Sequence, residues 1–510
     1  MSLNDNKRIA KNTIYLYART IVVLFVSLYT SRLVLQALGE IDMGIYNVVA
    51  GIVMLMTFLQ ATQAQATSRF ITFELGKQSG EDRQRKMFSI CATIHVLIAL
   101  GAVLLTETIG LWIVNHWTSI PAERMASANA IYQFAIIALV IQTIRVPLDA
   151  VVISHEKMSV YAFISILEAL LYLTNAIILT HFGGDRLLLS GALITLSAFV
   201  LFFVYFIYVR FHFRQYQFKW LWDKQESLQV LSFSGWTLLG SGTDTMAQQG
   251  VSLLMNNFVG LVANTALGFA QQVNNAVKRF VASFSTAFNP QVIKLYANGD
   301  APAMHKLVRR ASKFSFVLCY VFGLPLIVNM PFVLSLWLGN VPEYTSIFCQ
   351  LILICTIFDS ITGVFYTAIT ATGRIKFFQI LISISFLLDL LCAYLLLVAH
   401  FHPEIVFGSR IITRGIINMM IELFFMRQLL HFDLRLYAKE VILPILLTIA
   451  ISVPIASLIA HKTSGWLCLI VTTSVSVTIT GICLFYFIMD KDERASLTAS
   501  IKQRLNPSEN

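Results

Sequence analysis

Long apolar stretches recur along this chain, and they limit what it can fold into more than any other feature. Between Thr13 and Met489, about 14 stretches of about 20 to 27 residues are hydrophobic enough to cross the ~30 Å hydrocarbon core of a bilayer. Such segments become helices, because lipid offers no partners for backbone polar groups. The predicted fold is therefore an all-α polytopic membrane protein. The predicted spans are 13–37, 44–66, 88–115, 122–150, 158–181, 187–209, 230–257, 263–289, 313–338, 343–371, 377–400, 405–430, 440–460 and 465–489.

Composition agrees with a membrane protein and offers no recognisable metal or redox motif. Of the 510 residues, 57% are hydrophobic and 13% charged, with a mean hydropathy of +0.73. The seven cysteines lie in apolar segments without CxxC spacing, and the ten histidines form no metal-binding motif. We interpret the cysteines as small buried hydrophobic residues, and we expect neither a metal nor a cofactor.

Basic residues are concentrated in alternate connections between the spans. About 27 of the 37 Lys and Arg residues fall in one set of connections and the termini, whereas the opposite set holds only Arg124, Arg186 and Lys462. The positive-inside rule predicts that both termini are cytoplasmic. It also explains the net charge of +10 without nucleic acid as a partner. The first apolar run is too long for a cleaved signal peptide, so we expect it to remain as span 1.

The stretch LGEIDMGIY, residues 38–46, places two acids, Glu40 and Asp42, between spans 1 and 2. One interpretation is a catalytic acid pair of a membrane glycosyltransferase or polymerase. The outer connections are only about 5 to 10 residues long, however, and leave no room for an outer domain that would hold an acceptor. We therefore favour an outer turn in which Gly39 allows the chain to reverse.

An internal repeat divides the predicted spans into two sets. Gly39 and Gly260, Arg85 and Lys306, and Pro121 and Pro342 are each separated by about 221 residues and occupy equivalent topological positions. They predict two six-helix lobes in the same orientation, followed by two additional helices. The predicted domains are residues 1–225, 226–435 and 436–510.

Polar side chains recur at helical spacing on several spans and predict faces that avoid lipid. On span 8 they include Lys278 with Arg279 beside it, and on span 7 they include Asp244. Basic residues within a span each cost roughly 2.5 to 3.5 kcal/mol on insertion scales, which favours a polar cavity that binds an anion. The candidate residues of these faces, including those of spans 1 and 2, are Arg19, Gln63, Asp244, Gln248, Gln271, Asn274, Asn275, Lys278 and Arg279.

Structural ion pairs are the alternative interpretation of these charges. Lys278 and Arg279 could pair with Asp244 on the neighbouring helix. Asp149 follows Arg145 by four residues, which favours a local pair. Arg410, Arg414, Asn418 and Glu422 share one face of span 12, where an anion site and a packing network both remain open.

Six motifs resemble one known family. SRLVLQALGEIDMGIYNVV, TSRFITFELGK, FSGWTLLGS, FNPQVIKLYANGD, LWLGNVPEY and ATGRIKFFQI occur in the order and spacing of the polysaccharide-transporter, or Wzx-type flippase, branch of the multidrug/oligosaccharidyl-lipid/polysaccharide (MOP) exporter superfamily. The resemblance extends from about residue 8 to residue 504. It implies a MATE-like fold, two six-helix lobes and a cavity built by helices 1, 2, 7 and 8.

The resemblance also implies a function. Members of this family move an oligosaccharide repeat unit on undecaprenyl diphosphate across the bacterial inner membrane for assembly of O-antigen in lipopolysaccharide, capsule or exopolysaccharide. Its implied partners are this lipid-linked glycan, the bilayer, and a polysaccharide polymerase with a chain-length regulator. On the polar faces of this chain we expect Arg19, Lys278 and Arg279 to bind the diphosphate, and Asp244 on span 7 to couple transport to an ion or proton. Relatives often carry a basic residue at the position of Leu267, and its absence here favours Lys278 and Arg279.

Three other functions remain open at this stage. A cation-coupled multidrug exporter of the same superfamily would share the fold and the mechanism. It predicts a cavity rich in acids and aromatic residues, whereas the central face of span 8 is basic and rich in amides. The second is the membrane glycosyltransferase or polymerase that would use Glu40 and Asp42. The third is a structural scaffold of a polysaccharide assembly complex.

Overall fold

The structure, a computed structural model, describes residues 3–116, 120–338, 341–488 and 494, and these residues form helices joined by short connections. The prediction of an all-α fold is confirmed for this part of the chain. The helices are α1 (Leu3–Gly76), α2 (Glu81–His116), α3 (Ala122–Ser154), α4 (Met158–His181), α5 (Arg186–His212), α6 (Lys224–Phe258), α7 (Leu261–Ala297), α8 (Ala301–Val328), α9 (Met330–Leu338), α10 (Thr345–Ala371), α11 (Lys376–Val398), α12 (Pro403–Arg410 and Ile417–Leu430, with the π-helical turn Ile411–Ile416 between them), α13 (Leu434–Lys462) and α14 (Gly465–Tyr486).

The fourteen predicted spans all lie on helical segments. Nine described helices are long and apolar enough to cross a membrane by themselves: α2 to α5, α8, α10, α11, α13 and α14. The five other predicted spans lie on the two halves of α1 and on α6, α7 and α12, which carry more polar side chains. The chain is therefore a multi-pass membrane protein, and its more polar helices are the ones that need protein or water beside them.

Two glycines interrupt the helices where the repeat predicts equivalent turns. Gly39 has φ 73° and ψ 179° and breaks α1 into two halves, and Gly260 has φ 111° between α6 and α7. A side chain at a positive φ is strained, so glycine is the residue that allows the chain to reverse there. The predicted turn at each glycine is confirmed. Glu40 has a side chain outside the described ones.

The chain divides into two compact units, which differ from the predicted domains in their ranges. Unit 1 consists of Met1–Ser241 with Thr286–Asp300, and unit 2 of Gly242–Ser285 with Ala301–Asn510. These units reflect which helices pack together, whereas the predicted domains rest on the internal repeat of the sequence. The predicted division at residues 225 and 435 therefore stays a prediction.

Unit 1 is built around α3, which packs against α5 and α1, and around the contact between α1 and α4. One apolar cluster joins these helices to α2 and includes Ile71, Phe88, Val151, Leu201 and Tyr205. Polar groups inside the unit find partners in other helices, as when Thr72 Oγ1 donates to Ser154 Oγ at 2.7 Å. Apolar packing and buried hydrogen bonds thus hold the same helices together.

Unit 2 contains a second set of packed helices. In it α8 packs against α10, and α13 packs against α14, which also contacts α8. The hydroxyl groups of Tyr320 and Ser452 lie 2.6 Å apart where α8 meets α13. Asn329, next to α8, donates to Thr472 Oγ1 of α14 at 2.7 Å. These bonds satisfy polar groups in a lipid-facing unit, where solvation by water is lost.

The connection between α5 and α6, residues 213–223, lies along the surface of α2, and we call it the strap. The backbone N–H of Lys219 donates to Ser89 Oγ at 3.3 Å, and that of Leu221 donates to Thr93 Oγ1 at 3.2 Å. Two residues of α2 one turn apart therefore bind alternate residues of the strap. This spacing keeps the strap extended along the helix.

His155 lies in the connection between α3 and α4, beside the strap. Its ring stacks on Phe213 with 4.2 Å between centroids, and Nε2 lies 3.1 Å from the Tyr216 hydroxyl. Burial, together with the ammonium groups of Lys294 and Lys157, lowers the pKa of His155 to about 4. The folded protein therefore holds this imidazole neutral.

The protein is expected to lose stability as the pH falls from about 6.5 towards 4. In that range the unfolded chain binds a proton at His155, whose ordinary pKa is about 6.5, while the folded chain does not. The loss reaches at most about 3 kcal/mol, and melting temperatures of the purified protein across this range measure it. His155→Asn should flatten the dependence and His212→Asn, at an exposed histidine, should preserve it. Equal slopes for native protein and His155→Asn would contradict the assignment.

Candidate functional site

A polar cavity of about 50 Å³ inside unit 2 brings together four of the predicted site residues. Gln248 comes from α6, and Gln271, Asn274 and Lys278 come from successive turns of one face of α7. Residues three and four apart face the same side of a helix, which is why the spacing 271, 274, 278 points into one space. The other lining residues are Ile352, Cys355, Thr356, Asp359, Phe407, Arg410 and Arg414.

Asp244 lies one helical turn before Gln248 and is bound by two donors. Gln248 Nε2 donates to one carboxylate oxygen at 2.9 Å, and Arg414 Nη1 donates to the other at 2.5 Å. Asp244, which the sequence offered as an alternative partner of Lys278, therefore pairs with Arg414 of α12 instead. A fixed guanidinium is the better partner here because its fork geometry allows it to hold two carboxylates at once.

Asp389 of α11 joins the two arginines of α12. Arg414 Nε donates to its carboxylate at 2.7 Å, Arg410 Nε lies 3.2 Å away, and Thr413 Oγ1 donates at 2.8 Å. The π-helical turn Ile411–Ile416 lies between Arg410 and most of α12 and widens the helix there. Of the two interpretations left open for this face of span 12, the packing network describes Arg410 and Arg414, and α11 supplies its central acid.

Lys278 has a weaker partner than the arginines. Its Nζ lies 3.5 Å from Asp359 of α10, and both side chains are about half exposed. Asn274 is buried and accepts a hydrogen bond from Thr356 of α10. Arg279 and Asn275 are exposed and are not among the lining residues of the cavity. The structure therefore brings only part of the predicted α7 set to the cavity.

The predicted residues on α1 belong to unit 1. Arg19 lines a cavity of about 440 Å³ between α1, α4 and α5, and its guanidinium lies 5.2 Å from the ring centre of Tyr161. The buried Nε of Arg19 has no hydrogen-bond partner in the part of the chain that the structure describes. Gln63 is not among the lining residues of this cavity, and its Oε1 accepts from Ser234 of α6 at 2.9 Å.

Arg145, Asp149 and Glu168 form a charged group beside the unit 1 cavity. Arg145 and Asp149 of α3 form the predicted pair at 3.4 Å. Glu168 of α4 lines the cavity and lies 3.7 Å from Arg145. The intramembrane position of Glu168 is visible in the sequence, but its partner is 23 residues away, and no periodicity connects them.

Asp42, the acid of the predicted outer turn, already binds an arginine. Arg124 donates to Asp42 at 2.5 Å and to Asp185 at 3.2 Å, and Ser127 donates to Asp185 at 2.6 Å. Partial burial raises the pKa of Asp185, but the hydrogen bonds from Ser127, from the Leu188 backbone and from Arg124 outweigh it and lower the pKa below its ordinary value. Charges of the predicted outer set thus meet at one end of unit 1 and neutralise one another.

Comparisons with known proteins identify the fold. No family model matches the chain, and no curated protein matches it in sequence. Among solved structures, a mutant of the Vibrio cholerae MATE transporter VcmN is 15% identical with a TM-score of 0.69 and covers 84% of this chain and 99% of its own. A multidrug resistance MATE family transporter of the MOP superfamily, in an outward-facing conformation, is 14% identical with a TM-score of 0.71 over 84% of this chain and 96% of its own.

A third structure differs in the character of its pocket. A MOP superfamily transporter from Pyrococcus furiosus, for which reverse polarity of the binding pocket suggests a different function, is 13% identical with a TM-score of 0.69, over 83% of this chain and 96% of its own. Identities this low show similarity of fold alone. This chain therefore has the fold of the MATE transporters of the MOP superfamily.

Proposed function

We propose that this protein is a flippase, a membrane transporter that moves a lipid-linked oligosaccharide between the leaflets of the bacterial inner membrane. Its substrate class would be an oligosaccharide repeat unit on undecaprenyl diphosphate, for O-antigen, capsule or exopolysaccharide assembly. Transport would follow alternating access. The observation that carries the proposal is the unit 2 cavity, where amides and cations meet inside a membrane helix bundle.

The chemistry of this cavity suits a glycan with an anionic anchor. Amide side chains donate to and accept from sugar hydroxyl groups, and Gln248, Gln271 and Asn274 provide three of them. Lys278 is half exposed and held by one carboxylate at 3.5 Å, so it remains accessible to a diphosphate. In unit 1, Arg19 has a buried donor without a partner in the described chain, and we propose that it binds a diphosphate at the cavity that it lines there. We assign Arg279, Asn275 and Gln63 supporting contacts with the substrate.

The charge balance of the cavity argues against the multidrug exporter. Asp244 and Asp389 are held by arginines of α12, and Asp359 faces Lys278. An organic cation would find each of these three acids already neutralised. The P. furiosus transporter is a precedent for linking pocket polarity with function in this superfamily.

Asp244 is the proposed coupling residue. It is half-buried and holds Arg414 by a hydrogen bond from Nη1. Binding of a coupling ion at Asp244 would release Arg414 Nη1 towards the cavity, where it could bind the diphosphate while Nε stays on Asp389. Coupling would then consist of an exchange of one anion for another on a single arginine.

The enzyme alternative rests on Glu40 and Asp42. Asp42 is bound to Arg124, which also holds Asp185. A carboxylate that is engaged in this way is a poor candidate for binding a catalytic metal. The solved structures of similar fold are transporters, and we therefore propose transport without group transfer.

Replacing Lys278 and Arg279 together by alanine is expected to slow translocation about tenfold, because one charge-assisted contact with the diphosphate is lost. The measurement uses proteoliposomes that contain undecaprenyl diphosphate with a short fluorescent oligosaccharide. Translocation is followed as exposure of the label to an external quencher. A native rate in the folded double variant would contradict the anion-site assignment.

Asp359→Asn is the matched control, and it separates the two transport functions. It frees Lys278, so a flippase should keep or exceed its native rate. An exporter of organic cations should instead lose transport of ethidium in the same vesicles, because one acid of its site is gone. Glycan translocation by the native protein that is retained in Asp359→Asn, with no ethidium transport by either form, supports the flippase. Ethidium transport by the native protein that is lost in Asp359→Asn supports the exporter.

A further inference from the structure

A small apolar cavity in unit 1 lies where the strap passes α2, α3 and α5. It has a volume of about 190 Å³, and its walls include Phe88 of α2, Leu148 of α3, Phe206 of α5 and Phe218 of the strap. Arg210, in the last turn of α5, is the one charged residue among the described residues that line it. The cavity therefore combines an apolar interior with a single cation.

The strap and the end of α5 carry cations that are free to bind a ligand. Arg210, Arg214 and Lys219 are exposed and have no acidic partner in the described part of the chain. The acids nearest to them along the sequence are occupied, because Lys86 holds Asp223 at 2.9 Å and also contacts Glu226. The local surface is consequently positive, although the sequence around it contains both signs.

Three large aromatic side chains of the strap are exposed beside this positive surface. Phe218, Trp220 and Trp222 are 51%, 60% and 47% exposed. They are two residues apart in an extended segment, so they point to the same side of the strap. Tryptophan and neighbouring basic residues are typical of the boundary between hydrocarbon and headgroups, where both an apolar body and a polar tip are solvated.

We propose that this surface binds an anionic phospholipid of the leaflet at the basic end of the protein. One acyl chain occupies the cavity, the phosphate lies on Arg210 with Arg214 and Lys219 nearby, and the three aromatic side chains enter the interface. Charge complementarity selects an anionic headgroup over a zwitterionic one. The apolar lining selects a lipid over a soluble phosphate, which has no part that would fill it.

The strap forms one wall of this site only when it is folded against α2. Its backbone is held on α2 by hydrogen bonds to Ser89 and Thr93, and the buried ring of Tyr216 packs on Phe88 with 5.4 Å between centroids. Protein contacts therefore hold the strap wall of the cavity in place. Binding needs little reorganisation, which favours retention of the lipid through purification.

Quenching of tryptophan fluorescence by brominated lipid tests the proposal on the full-length protein in vesicles. Brominated phosphatidylglycerol should be enriched at the strap about fivefold over brominated phosphatidylcholine, since one basic contact near a membrane is worth about that factor. The difference in quenching between the two lipids should disappear in Trp220→Phe/Trp222→Phe, because the five other tryptophans lie outside the strap. Arg210→Gln should remove the preference, while Arg374→Gln, an exposed arginine of unit 2, should leave it unchanged.

A second variant tests the cavity without touching charge. Ala92→Phe fills the space that Ala92 of α2 leaves open, and it should reduce the phosphatidylglycerol retained after purification, measured by native mass spectrometry. Equal quenching by both lipids, or an undiminished preference in Arg210→Gln, would overturn the proposal. So would displacement of phosphatidylglycerol by millimolar inorganic phosphate, which would identify a site for soluble anions, or protection of the tryptophans by a bound protein partner.

Discussion

Replacing Asp389 by asparagine is expected to lower the free energy of unfolding by about 3 to 5 kcal/mol. Asp389 is 1% exposed, and its carboxylate accepts hydrogen bonds from Thr413 and Arg414 and faces Arg410. Arg410 is itself buried. Loss of the carboxylate leaves a guanidinium in a low-dielectric interior without a counter-charge, and removing one partner of a buried pair costs far more than the pair contributes. Thermal unfolding in detergent, with the native protein as reference, measures the effect.

Asp359→Asn is the stability control for this prediction. It also removes an acid paired with a basic residue, but both side chains of that pair are about half exposed and 3.5 Å apart. We expect a loss of about 1 kcal/mol or less. Asp389→Asn/Arg410→Gln should recover part of the stability lost in Asp389→Asn, because the unpaired charge is removed. Asp389→Asn with a native melting temperature would show that the network is not structural.

Glu156→Ala is the second large effect and concerns unit 1, where we expect a loss of about 3 kcal/mol. Lys294 Nζ donates to the Glu156 carboxylate at 2.8 Å and Gln291 Nε2 donates at 3.1 Å, and the Glu156 side chain is almost fully buried. This joins the end of α7 to the connection between α3 and α4. The substitution leaves a largely buried ammonium group and a buried amide without their acceptor. Chemical denaturation followed by intrinsic fluorescence provides the measurement.

Backbone geometry at Glu156 separates the ion pair from local strain. Its φ is 58°, in the left-handed region, which costs a non-glycine residue about 1 kcal/mol. Glu156→Gly should therefore be less destabilising than Glu156→Ala by about that amount. Lys157→Ala, at the exposed neighbouring position, should change stability by no more than about 0.5 kcal/mol. An equally large loss in Lys157→Ala would assign the effect to the connection as a whole and not to the pair.

The membrane fold could be predicted well because its strongest signals are local. A helix in lipid satisfies its own backbone, so length and hydropathy are sufficient to locate a span, and all fourteen predicted spans lie on helical segments. The turns at Gly39 and Gly260 could also be predicted from the sequence, because a positive φ favours glycine. The pair of Arg145 with Asp149 follows from helical spacing alone.

The candidate site was predicted only in part, because its contacts join distant helices. The face of α7 that carries Gln271, Asn274 and Lys278 was visible as a periodic pattern and does line the unit 2 cavity. Periodicity placed Arg279 beside that face, and its side chain is exposed outside the cavity lining. The roles assigned to these residues stay predictions until transport is measured.

The amino-acid sequence alone determined that this chain forms membrane helices, where each span lies and where the chain must turn, since these properties depend on solvation and on local backbone geometry. The tertiary structure decided which charges neutralise one another. Lys278 faces Asp359, whereas Asp244 is held by Arg414 from 170 positions away. In a low-dielectric interior the partner of a charge is the nearest opposite charge in space, and only packing of the helices brings those groups together.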